Sequence, residues 1–327
     1  MKRRALLRGA TAAAGLAAGL APAAARAQPF PNRPIRVVIG FPAGGPLDQH
    51  ARLWGDALGK LLGQTVVVDY KAGAGGTVGA QDVARAAPDG HTLLLANTGT
   101  MVINPALYRK LPYDTLKSFV PIARTAQQPL ALLVHPDVPA RTLPEFIALL
   151  RSRPGQLNYG SAGNGGISHL VPEMLKTRTG TFMVHIPYRG SAPAFTDLIA
   201  GQVQFMAESI PQAAQYAKAG KVRAIAVTSR QRNPALPEVP TAIESGLNGF
   251  EVVGFYGVLA PVGTPAPVVD RLSQAFEQVL GSGEIRERMV AQGADPAFLD
   301  AAAFRQFLVD EMPKWATAVK ASGAQLD

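Results

Sequence analysis

Two glycine-bearing stretches hold the residues best suited to bind an anion. The first is Phe41-Pro42-Ala43-Gly44-Gly45-Pro46-Leu47-Asp48. The second is Tyr159-Gly160-Ser161-Ala162-Gly163-Asn164-Gly165-Gly166-Ile167-Ser168-His169. Each follows a short β-prone run and precedes a helix-patterned one. A chain that turns from a strand into a helix presents unpaired first-turn N–H groups, and the helix dipole adds positive potential there. Gly44 and Gly45 lack a Cβ, which opens the main chain to a ligand and makes unusual φ values accessible. Gly163, Gly165 and Gly166 repeat the arrangement, with Ser161 and Ser168 as hydroxyl donors. Two such ends facing each other across a cleft would receive a small carboxylate without any catalytic group.

Several side chains around these loops admit two readings. Asp48 either caps the following helix or meets the ligand. His169, at a helix start, either packs or binds. Glu208, at a strand end after the core residues Phe205 and Met206, either bonds a polar group of the ligand or caps the next turn. Tyr188-Arg189-Gly190-Ser191 forms a third strand-to-helix turn, where Arg189 is either exposed or paired with a carboxylate.

Other chemistries fail on residue identity. Gly73-Ala74-Gly75-Gly76-Thr77-Val78 has valine where a dinucleotide-binding G-x-G-x-x-G needs its last glycine. Gly220-Lys221 is followed by Val222, so it is no phosphate-binding P-loop. In Gly160-Ser161-Ala162-Gly163 the first glycine abuts the serine, unlike a nucleophile elbow. The five histidines show no metal-ligand spacing. With no cysteine there is no disulfide framework, thiolate catalysis or cysteine-ligated metal. A Ser161/His169 nucleophile–base pair stays open as a minor alternative. No cofactor is expected.

The elements that must position these loops alternate in type. Ile35–Phe41 reads as a strand, and Leu47, Ala51, Trp54, Leu58 and Leu61 then fall on one helix face. Gln64–Asp69 and His91–Ala96 read as further strands, with an alanine-rich helix between them and Thr98 just beyond the second. This order, with apolar strands, predicts a parallel sheet covered on both faces. Leu130–His135 opens a second series. It continues through strands at Leu157–Gly160, Phe182–Ile186, Val203–Met206 and Val222–Thr228, with helices at Leu143–Leu150, Ile167–Thr177 and Ala192–Ala200. Arg232–Gly249 reads as an irregular connector. A strand at Phe255–Ala260 and a helical C-terminal segment, ending with Phe304–Val319, follow. Two α/β units plus a returning tail predict two lobes joined by more than one crossing. Ligands in open α/β sheets sit beyond the carboxyl ends of strands, where both loops lie.

Bulk properties narrow the setting. Of 327 residues 47% are apolar, which suits two globular lobes. Met1–Arg8 is a basic n-region, Gly9–Ala21 is small and apolar, and Ala25-Arg26-Ala27 offers a cleavage site. Arg3-Arg4 with Leu6-Leu7 is similar to the twin-arginine export pattern, beside which a general secretory signal stays open. Cleavage after Ala27 removes five positive charges (Lys2, Arg3, Arg4, Arg8, Arg26) from the net +9 and leaves +4. That mild charge, with no basic–aromatic block, argues against a nucleic-acid partner. The expectation is an exported, periplasmic protein.

The chain resembles the Bug (TctC) family, the substrate-binding proteins of tripartite tricarboxylate transporters. Phe41–Gly45 with Asp48 carries the resemblance, as do Lys71-Ala72-Gly73-Ala74-Gly75-Gly76 and Tyr159–Gly165 with Ser168-His169-Leu170. Pro187-Tyr188-Arg189-Gly190, Pro240-Thr241 with Glu244-Ser245-Gly246, and Tyr256–Pro261 extend it through the mature chain. The resemblance implies an α/β, two-lobed, type II-like periplasmic-binding-protein fold closing on a di- or tricarboxylate, an acidic amino acid or an aromatic acid. It implies a membrane permease as partner, and a sensor working with a membrane kinase is the alternative. A monomer is the default. The expected lobes are 28–127 with 250–327, and 128–249, after a signal peptide at 1–27. The expected ligand-binding residues are Phe41, Pro42, Ala43, Gly44, Gly45, Asp48, Thr98, Ser161, Ala162, Gly163, Gly165, Ser168, His169, Tyr188 and Glu208. Three departures touch this set: Ala43 for a common proline, Gly166-Ile167 for Ser/Thr-Pro, and Glu208 for aspartate.

Overall fold

The computed structural model describes residues 30–188, 190–291 and 294–326. The export signal expected at 1–27 and Arg189 lie outside them. The chain begins with β1 (Ile35–Ile39), α1 (Pro46–Leu62), β2 (Val66–Tyr70), α2 (Thr77–Ala84) and β3 (Thr92–Asn97). A π-helical turn, Gly99–Ile103, runs into the short α3 (Asn104–Leu107) before β4 (Phe119–Val134). Then come α4 (Leu143–Ser152), β5 (Asn158–Ser161), α5 (Ile167–Thr179), β6 (Val184–Pro187), α6 (Ser191–Ile199), β7 (Phe205–Ser209), α7 (Ile210–Lys218) and β8 (Arg223–Val227). The connector leads to β9 (Val253–Pro261), α8 (Ala266–Leu280), α9 (Gly283–Ala291), β10 (Asp295–Leu299) and α10 (Ala301–Ser322).

β1 lies between β2 and β3 in parallel, as the apolar runs predict. Ile35, Val37 and Ile39 pack into one core and Val38 into another, so both faces of the sheet are covered. On α1, Leu47, Ala51, Trp54 and Leu58 are buried as expected, but Leu61 is 40% exposed and Leu62 is buried instead. Four residues on from Leu58 keeps the stripe on the core face, while three swings it to the rim. Gly63 then closes the helix in a left-handed conformation.

The parallel strands of the two series are joined through antiparallel ones, so the sheet as a whole is mixed. β9 runs antiparallel to both β3 and β4. The strand expected to start at Leu130 is the far end of β4, which is 16 residues long. Phe119–Pro129 pairs with β9, and Leu130–Val134 pairs with β7 and β8. Pro121 sits at a register shift and Pro129 where the partner changes. Those are places where a missing N–H donor does least harm, so the two prolines do not break the strand. β4 is therefore one continuous beam under both halves of the sheet. At the changeover the Leu130 N–H donates to Thr228 Oγ1 at 2.9 Å and the Thr228 N–H donates back to the Leu130 carbonyl at 2.9 Å. Beside it the Val252 N–H donates to the Thr228 carbonyl at 3.0 Å.

Candidate functional site

The first loop lies between β1 and α1. Gly44 adopts φ +80°, and a Cβ there would meet nothing within 4 Å. Gly45 caps α1 without a side-chain bond. Asp48 does not cap the start of α1 but ties down the loop before it. Its Oδ2 accepts the Gly44 N–H at 2.7 Å, and its Oδ1 accepts Arg52 Nε at 2.8 Å and the Tyr70 hydroxyl at 2.7 Å. Burial alone would raise the Asp48 pKa, but these donors outweigh it and hold the carboxyl below its ordinary range. Asp48 thus fixes the loop and consumes the Gly44 donor. The first-turn N–H groups beyond Pro46 are those that helix geometry leaves unpaired.

Neutral side chains hold the second loop, between β5 and α5. The Ala162 N–H donates to Ser168 Oγ at 3.0 Å and the Gly165 N–H to His169 Nδ1 at 3.0 Å. Ser161 Oγ accepts the Gly163 N–H and sits 2.6 Å from His185 Nε2. His169 and His185 stack with centroids 3.9 Å apart, and His185 stacks on Tyr159 at 4.7 Å. Burial pushes His185 down to about 4, reinforced by His169 and Lys176, and burial also lowers His169. Gly165, at φ +74°, packs so closely that a Cβ would lie 2.4 Å from Leu107 Cδ2. The Ser161/His169 pair is therefore overturned: the serine's partner is His185, and Ser161 is 0% exposed, beyond reach of a substrate.

Between the loops lies a cavity of about 590 Å³. Pro46, Ile167, Ser191 and Pro211 line it, each from the first turn of α1, α5, α6 or α7. Four helix starts thus converge on one space. Gln128 and Tyr256 enter from β4 and β9, and Gln49 and Gln212 supply amides. Among the described lining residues there is no Lys or Arg, and Glu208 is the one acid. Glu208 holds the turn into the next helix: its Oε2 accepts the Ser191 hydroxyl at 2.6 Å and its Oε1 accepts the Ser209 N–H at 2.8 Å, and the residue lines the cavity.

The expected site residues fall into four sets. Gly44 and Glu208 line this cavity, while Phe41, Thr98 and Gly165 line an adjoining one of about 360 Å³. His169 lines a hollow of about 520 Å³ with His185, Glu173 and Lys176. Pro42, Ala43, Gly45, Asp48, Ser161, Ala162, Gly163, Ser168 and Tyr188 line none of the three. Tyr188 is tied down: its hydroxyl donates to Asp197 at 2.6 Å, and burial with that carboxylate pushes its pKa up to about 12. Sequence reasoning missed Gln49, Gln128, Ser209, Gln212 and Tyr256. Ser209-Ile210-Pro211 did carry a signal, a serine followed by proline at a strand-to-helix turn.

Comparison with known proteins gives a consistent result. Residues 50–324 match the model of the tripartite tricarboxylate transporter family receptor, TctC. A curated relative from Pseudomonas sp. strain P51, a UPF0065 protein in the tcbD–tcbE intergenic region, is 41% identical, covering 87% of this chain and 85% of its own. A solved R. palustris protein with adipate, Rpa4515, is 32% identical at TM-score 0.78, covering 91% of this chain and all of its own. MatC from Rhodopseudomonas palustris, with bound malate, is 36% identical at TM-score 0.73, covering 89% of this chain and all of its own.

Proposed function

The chain belongs to the tripartite tricarboxylate transporter receptor family, whose solved members are periplasmic solute-binding proteins, and on that premise we propose that it captures a small organic carboxylate between two lobes for delivery to a tripartite tricarboxylate-type permease. The observation that carries this reading is the convergence of four helix starts on one cavity lacking a described cation. Partial positive charge at helix ends suits a carboxylate and leaves it free to dissociate. The adipate and malate seen in two relatives are carboxylates of fitting size. We assign residues 28–127 with 250–327 to one lobe and 128–249 to the other. The partner change along β4 at Pro129–Leu130 supports that division. Closure about the two crossings is driven by higher affinity for the closed form. Export with cleavage near Ala27 delivers the protein to the periplasm.

In this reading Gly44 and Glu208 face the ligand in the larger cavity, and Phe41, Thr98 and Gly165 border it in the smaller one. The remaining members of the expected set shape the loops. A thermal-shift screen of mature protein against malate, adipate, other carboxylates and their neutral analogues tests the reading. A ligand at about a hundred times its Kd stabilises by roughly 2.7 kcal/mol. A shift with neutral analogues and none with acids would refute carboxylate capture. An adjacent permease pair in the genome supports delivery to a transporter, and an adjacent membrane kinase supports sensing.

A further inference from the structure

The β4–β9 pair supplies two neighbouring polar side chains to the larger cavity. Ala126 lies opposite Tyr256 and Gln128 opposite Gly254 in that antiparallel register. Side chains alternate along a strand, so Ala126, Gln128 and Tyr256 share one face. Gln128 and Tyr256 are then diagonal neighbours across the pair, within reach of each other's long side chains. Their direct opposites, Gly254 and Ala126, carry little or no side chain to crowd them. Both line the cavity of about 590 Å³, and Gln128 also borders the one of about 360 Å³.

Tyr256 is firmly set. Its carbonyl accepts the Thr125 hydroxyl at 3.3 Å, and Thr125 Oγ1 lies 2.8 Å from His50 Nε2. The His50 and Tyr256 rings lie with centroids 4.9 Å apart, and His50, Thr125 and Tyr256 are all buried. Burial pushes the Tyr256 pKa up, and the Gln128 side chain pulls it only partly back. The phenol therefore keeps its proton and stays a donor. Several other polar groups around the cavity are spoken for. The Ser191 hydroxyl goes to Glu208 at 2.6 Å and Gln49 Nε2 to the Gly44 carbonyl at 3.3 Å. Gln49 and Gln212 are exposed, where water competes for their amides. A buried neutral donor gives its strongest hydrogen bond to an ionised acceptor, because water is kept away. That suits a cavity with no Lys or Arg among its described lining residues.

On the carboxylate reading above, which this deepens, we infer that Tyr256 is a ligand-contacting residue whose hydroxyl donates to a carboxylate oxygen of the bound acid, and that Gln128 is a positioning residue that orients the phenol. The test is titration calorimetry of mature protein with malate, adipate and adipamide on wild type, Tyr256→Phe, Gln128→Leu and Gln128→Glu, each at about pH 8 and about pH 5. Tyr256→Phe keeps the ring beside His50. It should weaken the tighter-bound acid about ten- to a hundredfold with little change in melting temperature, since only a hydrogen bond to a charged group is lost. Gln128→Leu should weaken it about three- to tenfold. Gln128→Glu, nearly the same shape, should weaken it about tenfold or more near pH 8. Its gap to wild type at the same pH should narrow near pH 5, as the new carboxyl takes up a proton. A merely structural role for Gln128 would give a loss that pH does not move. Acid binding by Tyr256→Phe within about twofold of wild type overturns the inference and leaves carboxylate capture standing. A loss in Gln128→Glu that is absent or independent of pH overturns the role of Gln128. Adipamide binding wild type as tightly as adipate, or no heat from either acid, overturns both readings.

Discussion

The two glycine loops share one plan, strand to glycine turn to helix, yet they are held by opposite chemistry. Around Gly44 an ionised carboxylate, Asp48, gathers a backbone N–H, a guanidinium and a phenol. Around Gly165 neutral groups do the work: a serine, a second serine and a pair of stacked imidazoles. Their glycines differ too. Gly44 opens onto the cavity with free space about it, whereas Gly165 is pressed against Leu107. One loop uses glycine for backbone conformation at a ligand-facing edge, and the other uses it for close packing. Similar sequence signals therefore stand for different physical needs.

Exchanging the glycines gives the largest expected contrast. Gly165→Ala adds a left-handed strain to an overlap with Leu107 and should cost about 2–4 kcal/mol, read from denaturant midpoints. Gly44→Ala meets only the strain, about 1–2 kcal/mol, and its main effect should fall on ligand affinity. Equal stability losses in the two variants would erase the distinction. Next in size is Asp48→Ala, which removes the buried acceptor shared by the Gly44 N–H, the Arg52 guanidinium and the Tyr70 hydroxyl. It should cost about 1–3 kcal/mol, and the same measurement checks it.

Acid should separate the loops as well. His185 has a folded pKa near 4, depressed from 6.5, so the unfolded chain takes up the proton first. The stability it contributes is present above about pH 6.5 and lost as pH falls toward 4. Asp48 is depressed below 3.8, so its contribution holds through that window and fades only at lower pH. His50, buried beside Thr125 and lowered to about 3, loses stability over a similar range and must be separated from the loop. Melting curves of wild type and His185→Gln between pH 7 and 4 should therefore converge as pH falls. A constant gap would show that the imidazole pair does not set loop stability. The smallest effect is expected of Tyr70→Phe, which removes one of two donors to Asp48 Oδ1. It should cost about 0.5–1.5 kcal/mol in the same unfolding assay.

Much of the fold was legible because its signals are local. Apolar strands, the stripe on α1 and the glycine turns each lie within a few residues of one another. What was not legible depends on partners distant in the chain. Only the end of β4 from Leu130 was legible, because the stretch before it carries Pro121 and Pro129, and only a bulge and a change of partner make those prolines tolerable in the strand. Ser161 seemed matched to His169, yet parallel pairing sets Tyr159 opposite His185 and brings that ring to the serine. No spacing rule predicts such a register. The cavity showed the same limit. Its glycine edge was visible in the sequence, while Gln128 and Tyr256 enter from strands whose crossing is a tertiary fact.

The central claim is that helix starts, in a cavity with no Lys or Arg among its described lining residues, hold a carboxylate. The most direct measurement is a crystal structure of the mature protein with the tightest-binding acid from the screen. The carboxylate should lie in the cavity bounded by Gly44, Ser191 and Glu208, within hydrogen-bonding distance of first-turn N–H groups of at least two of the four helices. A carboxylate paired instead with a lysine or arginine side chain, or seated outside that cavity, would contradict the account.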